Sequence, residues 1–266
     1  MSDSEGLQDL PVVILCGGQG TRLREETEYR PKPMVEIGGH PILWHIMKIY
    51  GAHAVRRFVL CLGYKGWEIK QFFLRHNEMN GDFTLSTNDS QATEFHNGPN
   101  QEDWAVTLAE TGSETATGAR LRKVRSYIDT QTFFLTYGDA VGDVDIPALL
   151  AFHRAHGGIG TVTGVRPTSR YGELVVDGTF VREFHEKEPR PKTLVSGGFF
   201  VFEREFFDYL DDRDDLWLEL DPLQNLAHEG QLHTYIHEGE WQSMDTYRDF
   251  LQLNRIWDET APWKTW

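Results

Sequence analysis

Hydrophobic positions along this chain switch between continuous apolar runs and a helical period, and the switches mark out the elements. Val12 to Leu15 is an unbroken apolar run closed by Gly17, Gly18 and Gly20, which predicts a buried strand ending in a sharp turn. From Pro41 to Tyr50, residues Ile42, Ile46, Ile49 and Tyr50 recur at helical spacing. Arg57 to Leu62 returns as a strand ending at Gly63, and Trp67 to His76 reads as a helix. Residues 83 to 109 are less regular, with polar loop material from Asn88 to Asp103. A helix near Arg120 to Tyr127 then precedes the apolar run Thr132 to Tyr137, read as another central strand. Ile146 to His156 is a helix opened by Asp145 as N-cap with Pro147 in its first turn, and Thr161 to Val165 is a strand. A strand-rich part from 172 to 202 leads to a helix at Pro222 to His228, a strand at 232 to 236 and a final helix from about 246.

This alternation predicts an α/β fold: a Rossmann-like, mostly parallel sheet covered by helices on both faces, with ligands gathered beyond the carboxyl ends of the strands. The 266 residues suffice for one sizeable core, and no Pro/Gly/Ser-rich linker divides them. The expected organisation is one domain over 11–266 with a small sugar-binding or C-terminal lobe, preceded by a flexible tail over 1–10. Formal charge is −15, from 26 basic and 41 acidic residues, which argues against nucleic acid and anionic membranes as partners. The first ten residues lack the basic start and apolar core of a signal peptide, and no apolar stretch is long enough to span a bilayer, so a cytoplasmic location is expected. Cys16 and Cys61 lie in apolar runs without metal-ligand spacing and read as buried reduced thiols. His153 and His156, at i and i+3, read as solvated rather than metal-bound, and Trp257, Trp263 and Trp266 as packing or subunit contact.

Against that acidic background the glycine turn is basic. Gly17, Gly18 and Gly20 let backbone N–H groups approach an anion, Thr21 adds a hydroxyl, and Arg22, Arg24, Arg30 and Lys32 place four cations within eleven positions. A dinucleotide-type glycine motif fails because Leu23 stands where its last small residue is required, and no Gly-Lys-Ser/Thr of a Walker loop follows. Lys32 is flanked by Pro31 and Pro33, which restrict its backbone. A triphosphate in such a loop calls for a divalent metal, because one phosphate anion must attack another. Asp139, at the carboxyl end of the Thr132 to Tyr137 strand, is placed to help hold Mg²⁺, and Asp245 could add a second carboxylate.

The spacing Gly18, Gly20, Thr21, Arg22 and Lys32, with the run PKPMVEIGGHPILWHIMKIY and the closing APWKTW, resembles the sugar-1-phosphate nucleotidylyltransferases. Within that family the likeness is greatest to cytidylyltransferases acting on glucose 1-phosphate. The resemblance implies the nucleotide-diphospho-sugar transferase fold, homo-oligomeric assembly and CTP with α-D-glucose 1-phosphate as the first substrates to consider. It assigns Lys32 and Arg22 to catalysis and Asp139 and Asp245 to Mg²⁺. Leu15, Gly17, Gly18, Gly20, Thr21, Arg22, Gly63, Tyr64, Arg120 and Gly138 would line the nucleotide. Arg120 can equally be read as part of a charged helix face with Arg122, Lys123 and Arg125. Lys32, Tyr171, Gly172, Glu186, Lys187, Ser196 and Gly197 would hold the sugar phosphate. Three positions depart from the family pattern: Ala140 after Gly-Asp, Glu188 between Lys187 and Pro189, and Ser196 before the double glycine. They leave open another base, a larger or modified sugar such as a heptose or octose, or a non-catalytic nucleotide-sugar-binding protein on the same fold.

Overall fold

The strand Pro11–Leu15 is buried at all five positions, which is why its apolar run is continuous: Val12 and Ile14 pack into one helical layer, Val13 and Leu15 into the other. A computed structural model describes residues 6–18, 20–76, 78, 81–86, 88, 93–96, 102–167, 173–177, 179–185 and 194–266. In chain order its strands are β1 (Pro11–Leu15), β2 (Glu36–Ile37), β3 (His40–Pro41), β4 (Arg57–Leu62), β5 (Asp82–Leu85), β6 (Thr93–His96), β7 (Ala105–Glu110) and β8 (Thr132–Tyr137). There follow β9 (Ala140–Gly142), β10 (Gly160–Val165), β11 (Glu173–Asp177), β12 (Phe180–His185), β13 (Val195–Glu203), β14 (Leu232–Ile236) and β15 (Trp241–Ser243). The helices are α1 (Arg24–Thr27), α2 (Ile42–Gly51), α3 (Gly66–Leu74), α4 (Thr117–Lys123), α5 (Ile146–His156), α6 (Asp221–His228) and α7 (Tyr247–Glu259).

Seven strands form the central sheet in the order β14-β10-β13-β8-β1-β4-β7, all parallel except β13, which runs antiparallel to both neighbours. Helices cover both faces. One layer sets α2, α5 and α7 against Val12, Ile14 and Phe134, and the other sets α4 and α6 against Val13, Leu135 and Phe200. The chain steps outward from β1 to β4 to β7, then returns to β8 on the other side of β1. The loops leaving β1 and β8 therefore diverge, and a crevice opens at the carboxyl ends of those two strands.

Most periodicity-based elements stand within two residues of their expected bounds, and β4, β8, α5 and β14 match them. Asp145 accepts a hydrogen bond from the Ala148 amide at 2.9 Å, so the expected cap fixes the start of α5. Residues 83 to 109, expected to be irregular, instead contain the β5–β6 hairpin and the edge strand β7. As an edge, β7 buries only Ala109, so its pattern is faint until its six-residue register with β4 is seen. Residues 6–10, expected to belong to a flexible tail, are instead placed on the core: Leu10 is fully buried and Leu7 packs on the same helical layer as β1, while residues 1–5 lie outside the described residues. His153 is not solvated. It is 1% exposed and bonded to Thr161 and Glu203, since α5 turns that face onto β10 and β13. The C-terminal tryptophans pack around buried His45, whose Nδ1 accepts from the Trp263 indole while its other nitrogen bonds the Ile37 carbonyl; burial drops its pKa to about 4.

Candidate active site

At the crevice three charged side chains from distant parts of the chain meet. Lys32 Nζ donates to Asp139 Oδ2 at 2.7 Å and to Asp245 Oδ1 at 2.9 Å. All three side chains are half-buried. Burial alone would pull the Lys32 ammonium toward neutrality, but the Asp139 and Asp245 carboxylates outweigh it and hold its pKa above the ordinary lysine value. For Asp245 burial pushes the other way, and Lys32 first, then Ser243 and the more distant Arg22, keep it below the usual carboxylate range.

Local structure explains how each group arrives. Lys32 opens a short 3-10 helix, Lys32–Met34, after Pro31, and the β2–β3 hairpin that follows is gripped by α7: Gly38 N donates to Asn254 Oδ1 at 3.0 Å, and Trp257 lies over Gly38. Asp139 follows β8 directly, where Gly138 N bonds the Leu15 carbonyl at 3.1 Å. Asp245 is brought alongside by antiparallel pairing of β9 with β15, and Met244 N bonds the Asp139 carbonyl at 2.9 Å. Buried Asp249 then accepts from the amides of Asp245 at 3.0 Å and Thr246 at 2.9 Å, completing a capping box on α7 that fixes the Asp245 backbone.

Lys32 and Asp139, with Asp245 behind them on Lys32, border a cavity of about 420 Å³ walled by Leu15 to Gly18, Lys32, Pro33, Ser113 to Thr117, Arg120, Tyr137 to Asp139 and Trp217. Of the turn glycines, Gly20 takes a left-handed φ of +62°. Gly17 is required for another reason: a Cβ there would lie 2.1 Å from the Arg120 guanidinium carbon. Arg120 is 4% exposed, so it is not on a charged helix face. Its Nη1 donates to Leu62 O (3.1 Å), Thr111 Oγ1 (2.8 Å) and Gly112 O (2.7 Å), and its Nη2 to Gly17 O (3.0 Å) and Ser113 O (3.2 Å). Burial lowers its pKa from the usual arginine value, a shift that the charge of nearby groups, Glu114 among them, offsets only in part.

The remaining sequence-derived residues divide. Leu15, Gly17, Gly18 and Gly138 line the cavity. Thr21 and Arg22 are exposed and do not line it; Thr21 and Tyr64 border a separate groove with Arg24, Thr27 and Glu28. Gly63 lies beneath Gly17, against Arg120. The basic turn is not uniformly aimed at the site, because Arg30 pairs with Glu36 at 2.7 Å and with Glu26. Ser196 is exposed on β13, and buried Gly197 accepts the Trp241 indole N–H at 2.8 Å. Tyr171, Gly172, Glu186, Lys187 and Glu188 lie outside the described residues. Sequence reasoning passed over Ser113 to Thr117, Tyr137 and Trp217. The small and hydroxyl-bearing run TGSETATG, directly after a strand, was the available signal.

The donor set suits a hard divalent cation. Two carboxylates already converge on one positive charge, beside space for phosphate oxygens, which is the sparse protein contribution Mg²⁺ accepts. Among the described residues no cluster of three or more acidic, histidine or cysteine ligands occurs. Cys16 and Cys61 are free and buried, and burial pushes the Cys61 thiol up to about 12.

The nucleotidyl transferase family profile matches residues 11–259. The chain is 44% identical over 259 residues to a glucose-1-phosphate cytidylyltransferase of Salmonella typhi, covering 97% of this chain and all of that one. It is 41% identical over 258 residues to a probable glucose-1-phosphate cytidylyltransferase of Bacillus subtilis (strain 168), with coverage of 97% and 100%. Among solved structures, a putative glucose-1-phosphate thymidylyltransferase from Bacillus anthracis, in complex with a sucrose, superimposes with a TM-score of 0.68 at 16% identity, covering 93% of this chain and 94% of that one, a likeness of fold.

Proposed function

The chain belongs to the nucleotidyl transferase family, and from that premise we propose that it joins CTP and α-D-glucose 1-phosphate to give CDP-glucose and pyrophosphate. The observation that supports this reading is the convergence of Asp139 and Asp245 on Lys32 at the β1–β8 crevice, where Lys32 and Asp139 line the cavity. A non-bridging oxygen of the sugar phosphate attacks the α-phosphorus of CTP in line; the new P–O bond forms as the bond to the β-phosphate breaks, and the electron pair leaves on pyrophosphate. No enzyme nucleophile is needed.

Asp139 and Asp245 would hold Mg²⁺, which when bound would supply charge neutralisation and orientation of the triphosphate. Lys32, kept cationic by its neighbours, neutralises charge growing on the α-phosphate and draws the sugar phosphate in. Arg22, exposed at the rim with its charge felt at Asp245, is placed to meet the β- and γ-phosphates, where a planar guanidinium can bind two oxygens at once. Backbone of the Gly17 to Gly20 turn approaches the phosphates, and the Ser113 to Thr117 wall is left for ribose and base. Tyr171, Gly172, Glu186, Lys187, Ser196 and Gly197 are assigned to the sugar phosphate by resemblance.

The reading extends to setting and assembly. No helix among the described residues is long and apolar enough to cross a membrane, and we place the reaction in the cytoplasm. Self-assembly is supported by the β5–β6 hairpin, where Phe83 and Phe95 stay 42% and 44% exposed on a two-stranded element that is marginal alone. The test is a matrix of four triphosphates against glucose, mannose, heptose and other sugar 1-phosphates with Mg²⁺, scored by pyrophosphate release and product mass. CTP with glucose 1-phosphate should dominate. Preference for a larger sugar would transfer the reading to the substrates suggested by Ser196 and Glu188, and no release from any pair would end it.

A further inference from the structure

The two carboxylates of the candidate metal site stand on a very small piece of sheet. Strands β9 and β15 pair over only three residues a side, outside the seven-stranded sheet, and Asp139 and Asp245 lie just beyond the same end of that ribbon. A two-stranded element of this kind is marginal alone, and a slip of one residue would turn its side chains to the opposite face. The near end is locked by the Met244 amide on the Asp139 carbonyl and by Asp249, which accepts from the Asp245 amide. The far end needs a lock of its own.

There the lock is an imidazole. His237 directly follows β14, and its amide donates to the Gly164 carbonyl of β10 at 2.9 Å, so its backbone belongs to the central sheet. Its side chain, 8% exposed, reaches across to the ribbon: Nε2 bonds the carbonyl of Glu240, just before β15, at 3.2 Å and lies 3.0 Å from Oδ1 of Asp143, just after β9. Both neighbours are acceptors, so Nε2 carries the proton. The Glu240 carbonyl also accepts the Asp143 amide at 3.2 Å. The packing leaves no slack, because a Cβ on Gly239 would stand 2.3 Å from Asp143 Oδ1 and 2.7 Å from His237 Cε1. We infer that His237 is a positioning residue for the metal site: by tying the far ends of β9 and β15 to each other and to the central sheet, it keeps Asp139 and Asp245 close enough to share one divalent cation. It acts through the length of the ribbon, about 10 Å of strand. This rests on the metal reading of Asp139 and Asp245.

A merely structural histidine would weaken the protein without regard to metal, whereas a positioning one shows in the effect of the metal on the nucleotide. Calorimetric titration of CTP in saturating Mg²⁺ and in EDTA gives that effect as a ratio of two affinities, for the native chain, His237→Leu, His237→Gln and Gly239→Ala. Leucine removes the N–H, and glutamine can present one at nearly the same place. Alanine at 239 keeps the imidazole but displaces Asp143. Mg²⁺ should tighten CTP binding to the native chain. The ratio should fall fivefold or more in the leucine and alanine variants while affinity in EDTA changes less than threefold, and the glutamine variant should stay within threefold of the native ratio. A native ratio in either the leucine or the alanine variant, a parallel loss with and without metal, or a glutamine variant as impaired as leucine would overturn the inference and leave the metal reading standing. A native chain whose CTP affinity ignores Mg²⁺ would remove the reading and the inference together. If His237→Leu does not fold, Gly239→Ala and His237→Gln decide.

Discussion

Lys32 and Arg120 are cations on the walls of one cavity, and they are held in opposite ways. Arg120 is buried among neutral oxygens, and burial lowers its pKa; Lys32 is held by two half-exposed carboxylates that raise its own. Carbonyl oxygens on strand ends cannot leave, so the guanidinium is part of the scaffold. Half-exposed carboxylates can exchange one cation for another, so under the proposed function the ammonium would turn from Asp139 and Asp245 toward phosphate once a divalent cation binds them. Partner chemistry, more than burial, separates a structural cation from a working one.

The comparison breaks most sharply at Lys32. Lys32→Ala should lower kcat about 10³-fold, the scale of losing one preorganised charge-stabilising group, while the melting temperature moves by only a few degrees. A rate within tenfold of native, measured by pyrophosphate release, would make Lys32 scaffold after all. Arg120→Ala should show the reverse emphasis, with urea unfolding reporting a loss of about 3 kcal/mol, since several buried oxygens lose their donors together. An unchanged urea midpoint would strip Arg120 of its structural place.

Asp139→Asn sharpens the lysine side of the contrast. Its rate should fall about 10²-fold with a higher half-saturating Mg²⁺ concentration, and a normal Mg²⁺ titration would shift the metal role elsewhere. The smallest effect is the stability coupling of Lys32 with Asp245, on the order of 1 kcal/mol in metal-free protein at neutral pH, measured by a Lys32→Met and Asp245→Asn double-mutant cycle. Asp245 has its folded pKa depressed, so its contribution is present above the unfolded carboxylate value and is lost as pH falls through the folded one. Lys32 has its folded pKa raised, so its contribution is present at neutral pH and lost only at strongly alkaline pH. The coupling should therefore hold from about pH 5 to 9 and fade below about pH 4, while the Arg120→Ala penalty stays flat across the same range. Parallel pH curves for the two would erase the distinction.

Local pattern made the scaffold legible where burial was one-sided or complete. The unbroken run of β1, the exact bounds of β8 and the Asp145 cap of α5 each follow from a few neighbouring residues. Where the pattern was weak, as in β7, pairing with β4 decided the structure, because an edge strand buries too little to impose an alternation. Lys32 could be named as a candidate from motif spacing, and Asp139 and Asp245 from the family resemblance, but His153 was misplaced, since nothing in its own helix shows that β10 and β13 cover it.

By itself the sequence determined an α/β chain, a glycine turn rich in cations, and which side chains could carry charge to a phosphate. The tertiary structure alone decided which of those charges meet. It turned Arg30 away to Glu36, set Lys32 between carboxylates 107 and 213 positions distant, and placed Arg120 under three strand ends. The reason is physical: most of Arg120's partners are main-chain carbonyls, which every residue possesses, so no choice of amino acid along the chain announces them until the strands are laid side by side.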